Sequence, residues 1–156
     1  MTATITAPTP TDLLPYIRAA HANVGVRRTD PADVARILRN HGATSTAAEI
    51  MIQGRITATL PPCRAPDPAR LARYQAERDR SGLDLPAFCY MWQGPAIYGA
   101  ALIVDDLYQG AMQAVHAWQD ACRAAVEAWW QDNASAIQTL CEAEATALLA
   151  AREASR

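Results

Sequence analysis

AALIVDDLYQGAMQAVHAWQDACRAAVEAWWQ, residues 100–131, opens a run of 57 residues to Arg156 that contains no proline and one glycine, Gly110. Proline and glycine are the residues a helix interior tolerates least, so the run reads as helical. At 100° per residue its side chains sort by size. Val104, Tyr108, Ala111, Val115, Trp118, Cys122, Val126 and Trp129 fall along one line. Gly110, Ala114, Ala117, Ala121, Ala124 and Ala128 form a second, and Asp105, Gln109, Gln113, His116, Asp120, Arg123, Glu127 and Gln131 a third. The polar line is satisfied by water, the bulky line needs a core, and the flat alanine line allows close approach of another helix. The helix is therefore expected to be the spine of the fold or of an oligomer. Past Trp130 the register drifts: Leu140 and Leu149 lie on opposite sides of a straight helix, and Ser135 to Gln138 has capping-box spacing. A long helix over about 95–131, a bend or break near 132–134 and a last helix over about 135–153 are expected.

Upstream, helix punctuation recurs. A first helix is expected from Thr11 or Asp12 to Asn23, after a flexible arm over 1–10 in which Thr4, Ile5 and Thr6 are the alternative edge strand. Asp30 followed by Pro31 is an N-cap and first-turn proline, with Gly42 as the stop. Thr46 and Glu49 have capping-box spacing for a short helix ending at Gln53 and Gly54. Ile56, Ala58 and Leu60 then alternate with Thr57 and Thr59 like a brief strand. Asp67 and Pro68 open a charged helix to about Arg80, closed by Gly82, with Arg73 and Glu77 spaced as an i,i+4 pair. Residues 86–93 fit either a strand or one or two helical turns. The fold class is mainly α: a single helical domain over 11–156, five or six helices around the long one, with at most one minor strand pair.

Composition narrows the function classes. A net charge of −2 gives no global attraction to nucleic acid, although residues 1–99 carry eleven arginines against eight acids and residues 100–156 three against eight. All fourteen cations are arginine; with the abundance of alanine this suggests GC-rich coding, as in a bacterium or a phage or mobile element of one. Cys63, Cys89, Cys122 and Cys141 show no close pairing and no secretory signal opens the chain, so free thiols and a cytoplasmic setting are expected. Pro86 to Val104 is long enough to span a bilayer, but Pro86, Gly94, Pro95 and Gly99 interrupt it, and a buried soluble segment is the expectation.

Candidate chemistry is sparse. Cys63 beside Arg64 is the thiol best placed for activation, and His116 with Asp120 is the one helical pair resembling metal ligands. A nucleophile lacks a matching base motif and the metal pair lacks further ligands, so neither an enzyme nor a cofactor is expected. The segment 30–60, with Arg27, Arg28, Arg36, Arg39 and Arg55 for phosphates, is compatible in spacing with a helix-turn-helix DNA-binding regulator. The favoured expectation is a non-enzymatic factor, an inhibitor, adaptor or assembly protein, that binds another protein or a second copy of itself. Its surface would include Met112, Trp130, Ala114, Ala117, Ala121, Ala124 and Ala128; Trp92 and Trp118 are expected in the core.

Overall fold

The computed structural model describes residues 6–156 and is all-α among them. It divides into two compact units, Met1–Pro61 with Cys122–Arg156, and Pro62–Ala121. Helix α1 (Leu14–Ala19) is extended by 3₁₀ turns Pro10–Leu13 and Ala20–Asn23. It is followed by α2 (Pro31–Leu38), a π turn (Arg39–Ala43), α3 (Thr46–Thr59), α4 (Pro68–Ser81), a 3₁₀ turn (Ala87–Tyr90) and α5 (Pro95–Ala154).

In the first unit the core is built from local caps upward. Asp30 accepts the Ala32 N–H and Pro31 follows it, so α2 starts where the sequence says it should. Ser45 rather than Thr46 caps α3, accepting the Ala48 N–H at 3.3 Å. Leu13, Ile17, Val34, Leu38 and Ile52 are completely buried with Ile137, Cys141 and Ala145 of α5 packed among them. Each such aliphatic side chain contributes about 1.5–3 kcal/mol through removal from water. Gly42 lies in the π turn and not after a simple helix stop; a Cβ there would sit 2.7 Å from the Ile17 Cα and 2.8 Å from the Tyr16 carbonyl oxygen. Only hydrogen fits between the two backbones. Arg55 reaches Asp12 at 2.9 Å, Arg18 reaches Glu144 at 2.9 Å, and Arg152 donates to the Val24 carbonyl at 2.8 Å. Met1–Ile5, half of the expected arm, lie outside the described residues. Pro8 is buried, and its carbonyl accepts the Trp129 indole N–H at 2.9 Å.

The strand expected over Arg55–Leu60 is instead the last part of α3, and no strand occurs among the described residues. Ile52 and Ile56, spaced i,i+4, are buried on one helix face, while Gly54 stays exposed and does not end the helix. The interruption expected at 132–134 is also absent, because α5 is helical throughout. Asn133 donates its side-chain N–H to the Trp129 carbonyl at 2.8 Å, and Thr139 its hydroxyl to the Ser135 carbonyl at 3.0 Å. Both bonds run within one continuous helix, and Gln138, expected as the second member of a capping box, donates its side-chain N–H to the Glu142 carboxylate at 2.8 Å.

In the second unit α4 is capped by Asp67, which accepts the Arg70 N–H at 3.0 Å, and closed by Gly82 in the left-handed region at φ 68°. The Asp67 N–H donates to the Ala111 carbonyl and Arg70 to the Gly110 carbonyl, fixing α4 along α5. Tyr74 and Tyr108 meet with ring centroids 5.2 Å apart. Glu77 pairs with Arg80 instead of Arg73. Of the two readings open for 86–93, the helical one is present, as the 3₁₀ turn Ala87–Tyr90, followed by Gly94 at φ 106° before α5 begins at Pro95.

Candidate protein-interaction surface

A 3₁₀ helix has three residues per turn, so side chains three apart eclipse and only one of its three lines faces inward. Ala87 and Tyr90 take that line and are buried with Ala101, half-buried Leu83 and Tyr98 beside them. The Asp105 carboxylate accepts the Ala87 N–H at 2.9 Å, and the Tyr90 hydroxyl accepts the Leu85 N–H at 3.2 Å, which locks this orientation. The other two lines, Phe88 with Met91 and Cys89 with Trp92, must then point outward. Phe88 is 68% exposed and Trp92 91%. Leu85, Leu102 and Ile103 are about half exposed as well.

This overturns the expectation that Trp92 belongs to the core and that 86–104 is buried throughout. The sequence signal that could have found the surface was present: Pro86, Gly94 and Pro95 leave room for one short turn, and such a turn cannot bury Phe88, Tyr90, Met91 and Trp92 together. Trp118 is half-buried. Among the described residues no helix is long and apolar enough to cross a membrane.

The helix lines of α5 come out as their sizes imply. Val104, Ala111 and Cys122 are buried, and Tyr108, Val115, Trp118, Val126 and Trp129 half-buried. Ala114, Ala117, Ala121, Ala124 and Ala128 are all exposed, so no part of the described chain covers the alanine line. Met112 is half-buried, and Trp130 packs on the larger core, edge-to-face with Trp129 at 5.0 Å.

The segment that carries the apolar turn is acidic in sequence, while the arginines of this unit lie before it on and ahead of α4. From Ser81 to Cys122 the chain carries Asp84, Asp105, Asp106 and Asp120 and no arginine. A cleft of about 250 Å³ opens beside Leu85, walled by Tyr74, Tyr108 and Val104 and lined by both Asp84 and Asp105.

The arginines considered for phosphate contact are mostly held by acceptors of their own unit. Arg28 and Arg36 share Asp33, which they hold below the ordinary carboxylate range. Arg55 pairs with Asp12, and Arg39 donates to Gln138 at 3.4 Å; Arg27 is exposed. Among the described residues no group of three or more His, Cys, Asp or Glu side chains gathers as a metal site, and His116 rests against the edge of Tyr108 at 6.3 Å. Cys122 and Cys141 are buried, and desolvation pushes the Cys141 thiol up to about 11, where it is protonated and unreactive. Cys63 is exposed, its thiol directed at the Arg64 carbonyl.

The class defined by these elements is an all-α protein with a 60-residue helix shared by both units and an uncovered apolar turn. Compared with protein families, curated proteins and solved structures, the chain has no significant match.

Proposed function

We propose that this chain is a non-catalytic helical factor, an inhibitor, adaptor or assembly protein, that works by binding another protein through the apolar surface of Pro62–Ala121. The observation that carries this is the exposure of Trp92 and Phe88 together, at 91% and 68%. Large aromatic side chains are the commonest energetic anchors of protein interfaces, and an apolar patch of this kind marks an interaction site in a folded protein. The exposed Ala114, Ala117 and Ala121 of the same unit are a second surface suited to a closely packed helix, from a partner or another copy.

The test compares the parent chain with a Phe88→Ser/Trp92→Ser variant as bait in extract of the source cell, alongside sedimentation equilibrium of each alone at tens of micromolar. A discrete protein retained by the parent and lost by the folded variant is the expected result. Self-association lost in the variant identifies a second copy as the occupant. Identical captures by both chains, together with a monomeric parent, would overturn the proposal.

A further inference from the structure

The apolar turn and the cleft adjoin, because Leu85 both lines the cleft and stands exposed three residues before Phe88. The cleft presents two carboxylates, Asp84 and Asp105, and two phenol rings, Tyr74 and Tyr108, with no basic side chain in its lining. Asp105 has one oxygen engaged by the Ala87 N–H, and Asp84 meets the Tyr90 hydroxyl only at 3.5 Å, so each carboxylate keeps accepting capacity. Carboxylates beside aromatic walls complement a guanidinium or ammonium group on an apolar stem.

Building on the interaction reading above, we infer that the partner presents a basic amphipathic helix, whose arginine or lysine enters the Asp84–Asp105 cleft while its apolar side chains cover Leu85, Phe88 and Trp92. Charge selects this occupant over two others. A second copy paired face to face on this surface brings the Asp84 and Asp105 carboxylates of both copies into one interface, with no basic side chain of the cleft to offset them. An anionic bilayer meets the same acids and is repelled.

The probes are a synthetic 18-residue helix of leucine and arginine in i,i+3,i+4 register, its leucine–glutamate counterpart, and phosphatidylglycerol vesicles. Binding is read by anisotropy of labelled peptide and by a blue shift of tryptophan emission. The Leu/Arg peptide is expected to bind at least about tenfold more tightly than the Leu/Glu peptide. Asp84→Asn/Asp105→Asn should weaken the Leu/Arg peptide by about fivefold or more with circular dichroism unchanged, and Glu142→Gln/Glu153→Gln, the same change of charge elsewhere, should leave it unaffected. Trp92→Ser should weaken it and abolish the blue shift. Equal binding of both peptides, equal effects of the two charge variants, or preference for vesicles overturns the inference. No binding of either peptide also overturns it, whereas the broader proposal falls only if the parent and Phe88→Ser/Trp92→Ser baits capture alike and the parent is monomeric.

Discussion

In Met1–Pro61 with Cys122–Arg156, Leu13, Ile17, Leu38 and Ile52 are wholly out of water, whereas in Pro62–Ala121 the larger Phe88 and Trp92 lie mostly in it. The first unit surrounds its apolar side chains with helices from both ends of the chain. The second has α4, which buries no residue completely, one short 3₁₀ turn and the start of α5. A unit of this size hides a smaller share of its surface, yet its two most exposed large apolar side chains, Phe88 and Trp92, are aromatic and lie on or beside one turn. The buried core and the proposed recognition surface therefore fall in different regions, and substitutions separate them.

The largest losses belong to the first unit. Leu38→Ala removes a completely buried side chain and should cost about 2–5 kcal/mol in urea unfolding. Gly42→Ala drives a methyl group into the Ile17 and Tyr16 backbone, which must give way, at about 1–3 kcal/mol by the same measurement. Asp67→Ala, in the second unit, removes the α4 cap and should cost about 1 kcal/mol, read as lost helicity and a lower melting temperature.

A smaller effect is the acid dependence of the first unit. The Arg18 side chain, with the nearby His21, holds the Glu144 carboxylate below its ordinary range. A depressed folded pKa stabilises the fold above the unfolded value, and that contribution is lost as pH falls through the folded one. Glu144→Gln should therefore lower stability at neutral pH and flatten the acid limb of the stability profile; an unchanged acid limb would show that the pair adds nothing.

The local part of this architecture was legible in the residues. Asp30–Pro31, Asp67–Pro68 and Gly82 mark helix ends through contacts made within one turn, and the size-sorted lines of α5 identify its buried face. Segments decided by distant contacts were not legible. Thr57 and Thr59 alternate with apolar residues as in a strand, but burial of Ile52 and Ile56 makes them helical. Ser135 and Gln138 have the spacing of a capping box, yet α5 runs through both and Gln138 bonds forward to Glu142. Trp92 has the hydrophobicity of a core residue, and only the spacing of Pro86, Gly94 and Pro95, which leaves room for one short turn, speaks against its burial. The arginine cluster around 27–55 is visible in sequence, whereas its engagement with Asp12, Asp33 and Gln138 depends on packing.

The contrast between the units rests on the claim that the exposed aromatics do not hold the fold together. Urea unfolding of Phe88→Ser/Trp92→Ser tests this most directly. Exposed positions predict a free energy of unfolding within about 0.5 kcal/mol of the parent. A loss approaching the roughly 3–5 kcal/mol typical of a truncated core aromatic would contradict it and return these side chains to the core.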